Sequence, residues 1–206
     1  MREKIRKLTG IILILVGLTI ISSIVYKKIE TKKKQQELQN ILEQVINEEK
    51  EEVTGEKQEQ EQELESINGY KPIALMEIPS INLSQGIVEG ISDASLQYYL
   101  GHFEDSVGPG EKGNFSIAGH RVSDYSEAFV NLYKAEIGDE IIVKANKKEY
   151  IYKITNSFIV SPTDISVLEN TDSATITLVT CTVGAKERLI VKGDLIETKD
   201  LNSGGE

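Results

Sequence analysis

Cysteine occurs once in 206 residues, at Cys181, and histidine twice, at His102 and His120. One cysteine excludes an internal disulfide, and the spacing of these three residues matches no zinc site. Glycine is plentiful but forms no Walker loop, and its one GxGxxG spacing, Gly108 to Gly113, falls in a long turn leading into a strand and not at the start of a helix, where a dinucleotide fingerprint would need it. Proline is scarce, at Pro72, Pro79, Pro109 and Pro162 only. Positive charge is scarce beyond the N-terminus. Residues 35–67 hold two Lys against eleven Glu, and residues 68–206 hold twelve Lys/Arg against twenty Asp/Glu. An acidic domain offers no electrostatic footprint for nucleic acid.

The N-terminus is the exception, with nine Lys/Arg against two Glu over residues 1–34. Between its charges, Leu8 to Tyr26 is uncharged and mostly Ile, Leu and Val. At helical rise that stretch spans about 30 Å, the thickness of a bilayer core. A cleaved signal peptide would have a shorter apolar region and a small-x-small site after it. Ser22-Ser23 is small, but no A-x-A pattern follows. The expectation is an uncleaved anchor over 8–26. Lysines and arginines flank both of its ends, so the positive-inside rule does not decide its orientation.

Residues 27–68 are rich in Lys, Glu and Gln. Leu38, Ile41, Leu42, Val45 and Ile46 fall on one helical face. Two readings stand open: a solvated juxtamembrane helix fading into a charged, disordered tether, or a short coiled-coil dimer.

From Gly69 to about residue 200 the chain reads as mostly β. Pro72–Ile78 and Gly86–Glu89 are strand-like runs broken at Pro79-Ser80. Ser92 is placed to cap a short helix over 94–99, and a second short helix is expected over 123–132. Asn114–Ala118 and Glu140–Lys144 are apolar strands, with Asn146-Lys147 as turn material. Tyr150, Tyr152 and Ile154 alternate with Ile151, Lys153 and Thr155, a period of two, and Phe158–Val160 reads as a further short strand. Ala174–Thr180 and Arg188–Lys192 close the set. Seven or eight short strands with small helices on the connections point to a closed or nearly closed β-barrel.

Cys181 ends the run Thr177-Leu178-Val179-Thr180-Cys181, and Arg188 begins the next strand. A hairpin-like connection puts thiol and guanidinium on one rim. A lone cysteine is commonly inert core, yet an unpaired one in an exported chain invites oxidation unless it is used. A reactive thiol needs an acid/base partner and a holder of negative charge. His120, after Gly119 at a strand end, is the better-placed partner; His102 precedes an acidic loop.

Together Ser116-Ile-Ala-Gly-His120, Thr177-Leu-Val-Thr-Cys181 and Arg188 resemble the sortases, membrane-anchored cysteine transpeptidases of Gram-positive bacteria. Gly101-His102-Phe103 and Gly138-Asp139-Glu140 add to the likeness, which covers roughly residues 70–198. The resemblance implies an eight-stranded sortase β-barrel behind one N-terminal transmembrane helix. It divides the chain into a cytoplasmic 1–7, an anchor 8–26, a tether 27–68, a catalytic domain 69–200 and a disordered tail 201–206, with the domain outside the cell membrane. It further implies Cys181 as nucleophile, His120 as general acid/base and Arg188 as stabiliser of the oxyanion or of substrate. The substrate would be the LPxT(G/A)-type sorting signal of surface proteins, and the acceptor a peptidoglycan-precursor amine. Thr180, Ile176, Leu178 and Val160 are candidates for the peptide groove, though the three apolar ones read equally well as core.

The resemblance is greatest to class D, on the compact Thr-Val-Gly after the cysteine. A pilin-polymerising, class A or class E enzyme is the alternative within the family, and a membrane-tethered binding module with an inactive site is the alternative outside it. An L,D-transpeptidase would place His and Arg beside the cysteine, whereas His120 lies sixty-one residues away. No cofactor is expected. Calcium is used by some members, and Glu104, Asp105 and Asp164 are candidate loop carboxylates for it, but acidic loop residues are usually just solvated and no site is assigned to them.

Overall fold

β-branched and aromatic residues favour the pleated, half-buried surface of a sheet, and eight stretches of this chain form strands. In the computed structural model, which describes residues 2–47, 69–123 and 128–201, they are β1 (Pro72–Ile78), β2 (Leu83–Glu89), β3 (Leu100–His102), β4 (Gly113–Ala118), β5 (Glu140–Ala145), β6 (Lys148–Val160), β7 (Ala174–Cys181) and β8 (Arg188–Asp200). They close into a barrel in the order β1-β2-β3-β4-β7-β8-β6-β5. β2 with β3 and β4 with β7 are parallel; the remaining pairs are antiparallel. The mostly-β barrel expected from the sequence is therefore present, with every sheet edge paired.

The interior is apolar. Met76, Ile87, Phe115, Ile117, Ile141, Val143, Tyr152, Ile176, Leu178 and Val191 are among its fully buried side chains. Burying one such side chain contributes about 1.5–3 kcal/mol, so together they dominate the stability of the domain. The one polar atom Tyr152 carries inward is satisfied, because its hydroxyl accepts from the Gly110 backbone N–H at 2.7 Å. Gly110 itself has φ +79°, and a Cβ there would collide with the Tyr150 ring. Only glycine serves at that crossing.

Three local expectations need correction. Phe158–Val160 is not a separate strand; it continues β6 after an irregularity between Ile154 and Asn156. The helix expected over 94–99 is a single turn, α2 (Asp93–Leu96), with the Ser92 hydroxyl accepting from the Ser95 N–H at 3.1 Å. The helix expected over 123–132 falls partly on residues 124–127, outside the described residues, and its remainder is turn followed by a 3-10 turn at Leu132–Lys134. Asn146 and Lys147 have φ of 51° and 60°, the left-handed pair of a tight two-residue hairpin.

The larger departure is at the N-terminus. One helix, α1 (Arg2–Asn47), runs unbroken through the apolar stretch into the expected tether. By length and composition it is able to cross a membrane, and its apolar 18-residue window packs against nothing in the protein. Beyond that window the helix is not simply solvated. Leu38 and Leu42 are buried against Leu75 and Val88 on the outer face of β1 and β2, and against Tyr98 and Tyr99. Leu38 sits directly over Gly86, where any Cβ would collide with it. Gln35 Nε2 donates to the Tyr98 carbonyl at 2.9 Å, Gln39 Nε2 donates to the Ser84 carbonyl at 3.1 Å, and the Lys34 ammonium lies 3.9 Å from the Tyr98 ring centre. The helical face read from Leu38, Ile41 and Leu42 thus meets the barrel. The side chains of Val45 and Ile46, and residues 48–68 of the tether, lie outside the described residues, as do 202–206 of the tail.

Two measurements follow from this packing. Leu38→Asp places a charge in an apolar contact and should release the helix from the barrel, with amide protection of residues 30–42 falling by at least tenfold and that of β1–β8 little changed; equal protection in both chains would exclude the docking. Burial pushes the Tyr152 phenol up to about 12, while in the unfolded chain it ionises near 10. The folded state therefore holds a proton that the unfolded state loses, and stability should fall as pH rises from about 10 to 12. Tyr152→Phe should remove that component of alkaline unfolding.

Candidate active site

The parallel ladder of β4 and β7 pairs six residues on each side, from Gly113 with Ala174 to Ala118 with Val179. Gly119 and His120 continue directly beyond β4, and Thr180 and Cys181 end β7. The Gly119 N–H donates to the Val179 carbonyl at 3.1 Å, so the two chains are still in register one step past the ladder. On its other side β7 pairs antiparallel with β8, and the last pair of that register is Cys181 with Arg188. His120, Cys181 and Arg188 thus come from three adjacent strand ends on one rim. Cys181 is a free thiol, and it, His120 and Arg188 are all half-buried.

Each is positioned by local structure. Beyond Gly119 the chain turns back, and the Phe129 N–H donates to the His120 carbonyl at 3.0 Å. Phe129 is buried, and its ring and Leu100 fill the space that a Cβ on Gly119 would need. The loop from Cys181 to Arg188 is closed by the Thr182 N–H donating to the Glu187 carbonyl at 3.0 Å, with Gly184 and Ala185 both at positive φ. Arg188 Nη1 reaches the Ala185 and Glu187 carbonyls at 3.4 and 3.3 Å. Those bonds are long and use one nitrogen, which leaves the rest of a planar donor fork on the rim.

His102 is placed quite differently. It is 6% exposed, and both ring nitrogens are occupied. Nδ1 lies 2.6 Å from Glu89 Oε1, and Nε2 lies 2.8 Å from Ser106 Oγ and 3.1 Å from the Val107 carbonyl. The ring ties β2 and β3 to the loop before β4. That is a structural pin, not an accessible acid/base.

The remaining sequence candidates divide. Ile176 and Leu178 are wholly buried among the barrel's core side chains, the plainer of their two readings. Val160 stands at the rim, paired with Arg188 in register and half-buried. Thr180 is 2% exposed, and its hydroxyl donates to the Gly119 carbonyl at 2.8 Å. It therefore faces another strand and not an open groove.

Two polar nodes carry no motif in the sequence. Asn114 is fully buried; its amide donates to the Val167 and Glu169 carbonyls at 3.1 and 3.2 Å and accepts from the Thr177 hydroxyl at 2.7 Å. It pins the loop before β7 to both strands. Glu89 is the other, through His102. For Asn114 the one signal is a polar residue at the head of an apolar strand run, since a buried amide needs a partner; Glu89, at the end of β2, carries no such signal.

Glu104 and Asp105 border a cavity of about 410 Å³ beside Glu89. Asp164 lies on another loop, where Oδ1 accepts from the Ser166 N–H and hydroxyl. Among the described residues no three His, Cys, Asp or Glu side chains gather as a metal-binding group.

Comparison with known proteins gives a consistent result. The sortase domain family model matches residues 76–196. Sortase A of Bacillus anthracis is 29% identical over 207 residues, covering 96% of this chain and 98% of its own. Sortase SrtE1 of Streptomyces coelicolor is 32% identical over 149 residues, and this chain spans only 42% of its length. Among solved structures, a Clostridium perfringens sortase D transpeptidase superposes with a TM-score of 0.65 at 38% identity, covering 81% of this chain and 98% of that one. On the match over most of the barrel, the chain belongs to the sortase family, whose members are cysteine transpeptidases.

Proposed function

We propose that this protein is a membrane-anchored class D sortase that attaches surface proteins to the cell wall. The observation that carries the reading is the rim: Cys181 in direct register with Arg188, and His120 at the end of the strand on the other side. The Clostridium relative supports the class, as does Sortase D of Bacillus subtilis, 33% identical over 94 residues. The apolar part of α1 is the anchor, with the N-terminus inside and the barrel outside.

The reaction is a double acyl transfer. The Cys181 thiolate attacks the carbonyl carbon of the threonine in an LPxT(G/A)-type signal. The carbonyl oxygen takes the developing negative charge, and the Arg188 fork is the donor at hand for it. The C–N bond then breaks, the leaving amine takes a proton from His120, and a thioester remains. An amine of a peptidoglycan precursor attacks that thioester and returns a proton to His120, the thiolate leaves, and a new amide joins protein to wall. No cofactor enters either half. Imidazole suits a group that must both give and take a proton near neutral pH. Val160, beside Arg188 on the rim, lines the peptide groove.

The test uses the full chain in detergent micelles with LPxTG- and LPxTA-type peptides and an amine acceptor. Intact mass should show an acyl adduct on Cys181 that the amine removes, and Cys181→Ala should show none. His120→Ala should lower turnover by about 10²–10⁴-fold, whereas His102→Ala should act mainly on stability. Arg188→Lys should lose about 10²-fold, because a point charge does not reproduce the fork. No adduct with any peptide, and a thiol no more reactive than in the denatured chain, would leave the binding-module reading in its place.

A further inference from the structure

The hydroxyl of Thr180 lies between the two halves of the rim. Ile176, Leu178 and Thr180 share one face of β7 by the period of a strand, and the first two are core. Thr180 is as enclosed as they are at 2% exposure, yet it is polar, and its single donor goes to the Gly119 carbonyl at 2.8 Å. Gly119 is one residue before His120, and Thr180 is one residue before Cys181. The ladder of β4 and β7 ends at Ala118 and Val179. Past that point two hydrogen bonds hold the strands together: the Gly119 N–H to the Val179 carbonyl, and the Thr180 hydroxyl to the Gly119 carbonyl. Gly119 is itself closely packed, since Leu100 and Phe129 fill the space that a Cβ there would need.

We propose that Thr180 is a positioning residue that sets the spacing between the Cys181 thiol and the His120 imidazole by bonding the main chain beside one to the main chain beside the other. The inference rests on the proposed roles of Cys181 and His120. It assigns to Thr180 no contact with substrate: the hydroxyl has one proton to donate, and Gly119 holds it. His120 exchanges its proton with the amine that leaves or attacks the Cys181 adduct, so the transfer depends steeply on the separation of imidazole and sulfur, and a displacement of about 1 Å is enough to cost about 10²-fold in rate.

Cys181 is the only cysteine, so alkylation of the chain reports a single site. The experiment measures the rate of Cys181 alkylation by iodoacetamide against pH, in the full-length protein in micelles and with no peptide present. Thr180→Val keeps the shape and removes the donor. It should shift the midpoint of that profile and lower kcat by about 10–100-fold while KM for the sorting peptide holds. Thr180→Ser keeps the donor and should restore both. Thr180→Ala, which leaves space for a water, stands in if the valine variant does not fold. An alkylation profile in the Val and Ala variants identical to wild type overturns the proposal, as does a serine variant that fails to restore it. A raised KM with an unchanged profile would instead put the hydroxyl on the peptide. Because the profile is read without peptide, it is independent of the sortase reading, which fails only if the wild-type chain forms no acyl adduct.

Discussion

Parallel pairing of β4 with β7 is the constraint from which the rest of the site is measured. Parallel strands cannot be joined by a hairpin, so the chain must leave β4, build β5 and β6, and return before β7 can lie beside it. That detour explains why His120 and Cys181 are far apart in sequence and adjacent in space. The return is secured by Asn114, whose amide holds the incoming loop while its oxygen accepts from Thr177. Buried polar networks of this kind are stable only when every member is satisfied. Here one end of the ladder is fixed by Asn114 and the other by Thr180.

The two histidines show how burial sorts chemically identical groups. His102 has a carboxylate at one nitrogen and a hydroxyl and carbonyl at the other, so its ring has no free position for a reacting atom. His120 has its main chain fixed by Phe129 and sits half-buried at the rim beside Cys181. The same contrast separates Arg188, with long bonds from a single nitrogen, from Lys144, which is taken up by Glu77 at 2.9 Å on the wall of the barrel.

Much of the barrel is legible in the sequence because its strands carry their own pattern. Tyr152 and Ile154 against Lys153 and Thr155 mark an inner and an outer face by alternation alone, and the pairing of Cys181 with Arg188 follows from one loop. Other parts are illegible for identifiable reasons. β3 is only three residues long and buried on both faces, so no alternation announces it. In β1, Ala74, Leu75 and Met76 are all buried, because α1 covers the outer face that would otherwise be polar. The same contact hides the role of Leu38 and Leu42, whose helical period fits equally a solvated, a dimeric or a docked helix. Thr180 is visible as a polar residue in an apolar run, but only the fold shows that its partner is the Gly119 carbonyl.

The docked helix changes how the domain moves. A flexible tether of about 42 residues would let a domain wander some 35 Å from its anchor. α1 instead makes the apolar stretch and the barrel one mechanical piece, with Leu38 about 18 Å beyond Tyr26 along the axis. Rotation of the helix about its own axis becomes rotation of the rim, and tilt of the helix becomes tilt of the rim. Where the apolar stretch is held in a bilayer, the thiol sweeps a narrow ring and not a sphere, and the height at which it meets its two reactants is set by the length of a helix.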